Sequence, residues 1–302
     1  MNFMKTVGQV FFLFILLALP IFAQETDDDV INVDSSIVVL NATITDQNGK
    51  PVAGLKQSQF KIFEDGKEQT FDFFGAEVTP FAAVILLDTS GSMEQRISLA
   101  RSAAITFLDG LRLEDNAAIY NFDSKVSLLQ DFSNSRDVLD RVFDLKANGM
   151  TVLNDAIFEA AETLSKRPEK RRAIIVLSDG ADTKSKYSSD KALKAAISSN
   201  ATIYTVDMSS IDMNGRERMQ NQSVLKNFAE KSGGRFIAAS GGIALREAFA
   251  EISSELGSQY TLTYSPTNTA KDGKWRAIEV RVSKPNLTIR TRKGYNAPKD
   301  KK

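Results

Sequence analysis

Seven consecutive apolar residues, Phe81 to Leu87, run directly into Asp88-Thr89-Ser90-Gly91-Ser92, and this juncture limits the possible folds more than any other feature. A run so apolar leaves no face for water, which predicts a strand covered on both sides, as in a parallel sheet. Ala173 to Leu177 repeats the pattern. Between and after these runs, apolar residues recur at steps of three or four: Ile97, Ala100, Ala104, Leu108 and Leu111; Ile157, Ala160, Ala161 and Leu164; Leu193, Ala196 and Ile197. That is helical spacing. Further strands are predicted at Ala117–Phe122, Val126–Leu129 (an edge), Thr202–Val206 and Arg235–Ala238, and a closing helix at Leu245–Leu256. Strands alternating with amphipathic helices predict a doubly wound, mostly parallel α/β sheet over residues 79–257.

The flanks follow a different rule. Residues 36–78 and 258–296 alternate at period two, as in Tyr260, Leu262, Tyr264 and again in Ile278, Val280, Val282. Strands are expected at Ile37–Thr45, Phe60–Phe63 and Phe71–Phe74, the last two joined through Glu64-Asp65-Gly66-Lys67, because Asp-Gly favours a tight hairpin. Neither flank is large enough to bury a core alone, so the two are expected to pair into one small β-sandwich beside the inserted α/β domain.

The amino terminus carries Lys5 and then a nearly continuous apolar stretch, Val10 to Phe22, before Ala23 and the acidic residues Glu25, Asp27, Asp28 and Asp29. This predicts a cleaved export signal over 1–23 and an acidic leader over 24–35, hence a secreted or periplasmic protein with no integral span in the mature chain. Residues 297–302 are expected to be a charged tail.

Composition removes several chemistries. With no Cys and no His, disulfides, thiolate zinc sites, cysteine nucleophiles and imidazole bases are all excluded. Any metal must be held by oxygen, which points to Mg²⁺, Ca²⁺ or Mn²⁺. Lys+Arg and Asp+Glu both number 38, so there is no basic field of the kind a nucleic-acid binder relies on. The basic cluster Lys166, Arg167, Lys170, Arg171, Arg172 is read as a solvated helix end, and Tyr260, Tyr264 and Trp275 as sandwich-core aromatics.

Ligands of open α/β sheets bind beyond the carboxyl ends of the strands. Three short segments are expected on that rim: Asp88 to Ser92, the Gly149-Met150-Thr151 loop before Leu153-Asn154-Asp155-Ala156, and Ser178-Asp179-Gly180. Taken in order, these segments resemble the metal-ion-dependent adhesion site of von Willebrand factor type A domains, over about Thr79 to Leu256. The resemblance implies that Asp88, Ser90, Ser92, Thr151 and Asp179 hold one divalent cation, Mg²⁺ foremost, and that a partner protein docks an exposed Asp or Glu on it. Met150 stands where the family often has a second Gly. Gly54-Leu55, Glu64-Asp65-Gly66, Tyr264-Ser265-Pro266 and Arg292-Lys293-Gly294-Tyr295 further resemble a secreted bacterial group of von Willebrand factor A-related proteins. Asp123, Asp155 and Asp182 are read as turn and capping residues rather than ligands. The alternatives to a non-catalytic binding module are a metal-dependent hydrolase or phosphatase, and a structural envelope protein whose ion only steadies loops.

Overall fold

The computed structural model describes residues 37–300 apart from 136–141, 143, 211 and 239–240. The expected export signal and acidic leader lie outside the described residues. Among those residues, no helix is long and apolar enough to cross a membrane.

The central sheet has six strands in the order β10-β9-β8-β5-β6-β7. They are β5 (Phe81–Asp88), β6 (Asn116–Phe122), β7 (Val126–Ser133), β8 (Arg171–Ser178), β9 (Ala201–Asp207) and β10 (Phe236–Ala238). All pair in parallel except β7, which lies antiparallel on the β6 edge. Every residue of β5 is buried, as its uninterrupted apolar sequence requires. Helices α1 (Ile97–Asp109) and α5 (Gly242–Ser258) cover one face, where Ala104, Phe107, Phe249 and Ile252 meet Ile85 and Ile175. Helices α2 (Leu153–Ser165), α3 (Ser189–Ser198) and α4 (Gly215–Ser232) cover the other, where Ile157, Leu164, Ile197 and Phe228 meet Val84 and Val176. Burying each such aliphatic side chain contributes about 1.5–3 kcal/mol, so this double layer holds the rim loops on a rigid base.

The flanking segments do pair with one another. Strands β1 (Val38–Thr45), β4 (Phe73–Gly75), β11 (Tyr260–Tyr264) and β13 (Thr288–Arg290) form one sheet in the order β13-β1-β11-β4. Strands β2 (Phe60–Glu64), β3 (Lys67–Gln69), β12 (Trp275–Val282) and β14 (Gly294–Asn296) form the other, in the order β14-β12-β2-β3. Leu40, Ile44 and Leu262 from the first sheet share one core with Phe60, Ile62, Ile278 and Val280 from the second. Phe60 stacks against Tyr260 at 5.1 Å and against Phe74 at 5.2 Å.

Four expectations need correction. The Asp65-Gly66 hairpin, with φ of 48° and 81°, returns into β3 at Lys67–Gln69, whereas Phe73 and Phe74 cross to the opposite sheet and pair with β11. A type I′ turn needs two positive φ values in succession and closes on the next residue, which leaves no slack to reach Phe71. Trp275 is 43% exposed, outside the sandwich core, while Tyr260 and Tyr264 are inside it. Within the supposed charged tail, Ala297 is buried and the backbone of Lys299 pairs antiparallel with that of Asp272.

The fourth concerns Arg171, which is 1% exposed. Its guanidinium donates to the carbonyls of Glu77 (2.8 Å), Gly257 (2.9 Å) and Leu256 (3.4 Å) and to the Thr261 hydroxyl (3.3 Å). It thus ties β8 to the end of α5, to the segment entering β5, and to β11. Burial pushes its pKa down to about 10, and the carbonyl fork replaces the water it lost.

Candidate functional site

The chain leaves β5 toward β6 on one side and leaves β8 toward β9 on the other. Strands β5 and β8 are therefore the point where winding reverses, and their carboxyl ends open a crevice between diverging loops. Asp88 closes β5, Ser178 closes β8, and the two strands are in register to Leu87 opposite Leu177. This brings two of the three expected segments side by side.

Asp88 is fully buried. One carboxylate oxygen accepts from the Ser90 amide at 2.9 Å and the other from the Ser178 hydroxyl at 2.6 Å. Burial raises its pKa to about 6, against the lowering effect of those hydrogen bonds, and the nearby charge of Asp179 adds to the rise. The Ser90 and Ser92 hydroxyls lie 3.1 Å apart, with Ser90 buried and Ser92 exposed at the mouth.

The third segment is stitched to the first by backbone. The Asn148 amide donates to the Thr89 carbonyl at 2.8 Å, and the Gly91 amide donates to the Gly149 carbonyl at 3.2 Å. Gly149 has φ +82°, a backbone conformation that favours glycine, and a Cβ there would stand 2.7 Å from the Ser124 hydroxyl oxygen that accepts from the Met150 amide. Thr151 is buried; its carbonyl accepts from the Thr183 and Lys184 amides at 3.0 Å, and its amide donates to the Thr183 hydroxyl. Asp179 is buried and accepts from the Ala181 amide at 3.0 Å. Gly180, at φ +85°, backs onto the Asn221 carbonyl, 2.6 Å from where a Cβ would sit, so α4 packs tightly behind the Asp179 loop.

Asp123 accepts from the Lys125 amide, as a turn residue does. Asp155 accepts from the Lys186 and Tyr187 amides, and Asp182 from the Asn154 and Ser185 amides. Asp207, at the end of β9, spends its oxygens on Ser209 and Gln222. Ser178 was visible only as the residue before Asp179, yet its hydroxyl joins Asp88 to the Gly180 amide. Nothing in a Leu-Ser-Asp-Gly string marks that hydroxyl as a bridge between strands.

Among the described residues, no three His, Cys, Asp or Glu side chains gather into a metal-binding cluster. The carboxyl ends of β5, β8 and β9 carry three buried carboxylates, Asp88, Asp179 and Asp207, and of these Asp207 is taken up by Ser209 and Gln222.

Residues 83–181 match the family model of the von Willebrand factor type A domain. No curated protein matches the chain in sequence. A solved von Willebrand factor type A structure from Catenulispora acidiphila is similar over 89% of this chain and 76% of its own, at 16% identity and a TM-score of 0.50. An aerotolerance-related membrane protein from Bacteroides fragilis is similar over 58% of this chain and 98% of its own, at 19% identity and a TM-score of 0.49. The von Willebrand factor domain of the type V pili tip protein Mfa5 from Porphyromonas gingivalis is similar over 59% and 95%, at 15% identity and a TM-score of 0.49. The Catenulispora likeness extends beyond the central sheet and speaks for the fold. The strand order and the switch-point loops agree with the family match, so the region over residues 83–181 is a von Willebrand factor type A-like domain within this chain.

Proposed function

We propose that the protein is an exported, non-catalytic binding module that uses one divalent cation at the Asp88 rim to dock an acidic side chain of a partner protein. The observation that carries this reading is the buried Asp88 carboxylate, fixed by Ser90 and Ser178, beside two hydroxyls 3.1 Å apart. Adjacent oxygens around an octahedral Mg²⁺, at 2.0–2.1 Å from the ion, are about 3 Å apart, so the Ser90–Ser92 spacing suits that ion. A carboxylate pushed up to about 6 by burial also lacks a compensating positive charge, which a cation would supply.

Asp88, Ser90, Ser92, Thr151 and Asp179 would hold the ion. Hydroxyl-rich coordination neutralises it incompletely, so a bound Mg²⁺ supplies a position electrophilic enough for an incoming carboxylate. The chain's own part is to exclude water from Asp88 and to fix its two oxygens. A hydrolytic reading needs a proton-transfer pair, and the neighbouring Asp155, Asp182 and Asp207 are spent on backbone amides, Ser209 and Gln222.

Calorimetric titration of Mg²⁺ and of Mn²⁺ into the EDTA-stripped chain is expected to give one saturable site. A Gly-Glu-Gly peptide should then bind only in the presence of metal. A titration without saturation, or peptide binding indifferent to EDTA, sinks the reading. Asp155→Ala provides a contrast: losing the acceptor of two amides should cost about 1–2 kcal/mol in denaturant unfolding, with Mg²⁺ affinity changed less than about twofold. A metal affinity that collapses in this variant would make Asp155 a ligand.

A further inference from the structure

Beside the Thr151 flank of the rim lies a groove of about 440 Å³ between the β6–β7 turn, α2 and the loop entering α3. Its position relative to the site is fixed by hydrogen bonds. The Lys184 amide donates to the Thr151 carbonyl, and Ser124, next to Lys125, accepts from the Met150 amide at 3.1 Å. At the rim end stand Lys125, Lys184 and Lys186, all exposed. None of these three ammonium groups lies in an ion pair among the described residues. Asp155, also in the groove lining, accepts from the amides of Lys186 and Tyr187 and forms no ion pair with these ammonium groups.

The floor is aromatic. Phe158 and Tyr187 stack at 4.1 Å between centroids, both half-buried, with the Lys191 ammonium 4.1 Å from the Tyr187 centroid. Further along α2, Glu159 and Glu162 line the groove and are exposed. The groove is therefore polar in the electrostatic sense: cationic next to Thr151, apolar in the middle, anionic at the far end. Potentials arranged in this way select a partner by complementarity, because a like charge in either half is repelled.

We propose that this groove receives the residues following the docked acid of the partner, and that the partner segment carries a second acidic residue, then an apolar or aromatic one, then a basic one. The proposal rests on the docking reading above and names the class of peptide that the same site takes. The second acid meets Lys125, Lys184 and Lys186, the apolar side chain covers the Phe158–Tyr187 pair, and the basic group faces Glu159 and Glu162.

Two labelled peptides test this by fluorescence anisotropy: Gly-Glu-Asp-Phe-Lys-Gly and Gly-Glu-Gly-Gly-Gly-Gly, each titrated with the full chain in Mg²⁺ and in EDTA. The parent chain is expected to prefer the first peptide by about tenfold in Mg²⁺. The triple variant Lys125→Glu, Lys184→Glu, Lys186→Glu changes only exposed residues and should keep its fold by circular dichroism. It should lose that preference while still binding the second peptide with metal. Equal binding of both peptides by the parent in Mg²⁺ overturns the groove and leaves rim docking standing. A preference that persists in EDTA and disappears in the triple variant supports the groove and overturns rim docking. Failure of both peptides to bind in Mg²⁺ overturns both.

Discussion

Replacing Arg171 with methionine is expected to lower the thermal midpoint by about 10 °C, which for a domain of this size corresponds to about 3 kcal/mol. The side chain is 1% exposed and donates to three backbone carbonyls, of Glu77, Leu256 and Gly257, and to Thr261. Methionine fills much of the volume but donates nothing, so those oxygens stay buried with fewer partners, at about 1–3 kcal/mol each. Relief of burying a charge, visible in the lowered pKa of Arg171, offsets part of that loss. Because the acceptors sit on β11, α5 and the segment entering β5, the variant should also weaken the hold between sandwich and central sheet. Its calorimetric transition is expected to broaden or split. Lys166→Met, on an exposed neighbour, should move the midpoint very little, by about 0.5 kcal/mol at most. A methionine variant that melts within about 2 °C of the parent would mean that water replaces the guanidinium at no cost.

Arg171 also marks where sequence reading stops. The runs Phe81–Leu87 and Ala173–Leu177 identified β5 and β8 because burial on both faces is a local statement, written in consecutive side chains. Helices α1, α2, α3 and α5 were equally legible from their spacing, whereas α4 (Gly215–Ser232), with few apolar residues before Leu225, was not. The Asp88, Thr151 and Asp179 segments could be placed on one rim because a doubly wound sheet sends the ends of its parallel strands to the same side. Arg171 looked like its exposed neighbours, since four of its partners lie 85 to 94 residues away and leave no trace in the basic cluster itself. Ser178 was opaque for the same reason, its bond to Asp88 spanning 90 residues. The crossing of Phe73 and Phe74 to the sheet of β1 and β11 depended on the turn closing into Lys67–Gln69, ahead of the Phe71–Phe74 run that the apolar pattern picks out. Periodicity says which side of a strand is apolar, but not which of two sheets claims it.

Asp88→Asn is expected to abolish the stabilisation that Mg²⁺ gives, while leaving the metal-free chain at least as stable as the parent near neutral pH. In the metal-free chain the Asp88 pKa is raised from 3.8 to about 6, so the folded state holds this proton more tightly than the unfolded state does. That contribution is complete below about pH 4 and is lost as pH rises through about 6, amounting to about 3 kcal/mol by pH 7. Asparagine is isosteric and neutral, and its oxygen can still accept from the Ser90 amide, so in EDTA the variant should lose this part of the pH dependence. With a cation the balance reverses for the parent alone: at a hundredfold excess over Kd, ligand binding adds about 2.7 kcal/mol, or about 5–10 °C. The same competition between proton and metal should weaken Mg²⁺ binding below pH 6, approaching about tenfold per pH unit. Thermal melts of both chains at pH 5 and 7.5, each with Mg²⁺ and with EDTA, give all of these quantities. A parent midpoint that ignores Mg²⁺, or a variant that keeps the shift, removes the ion from Asp88 and the docking function with it.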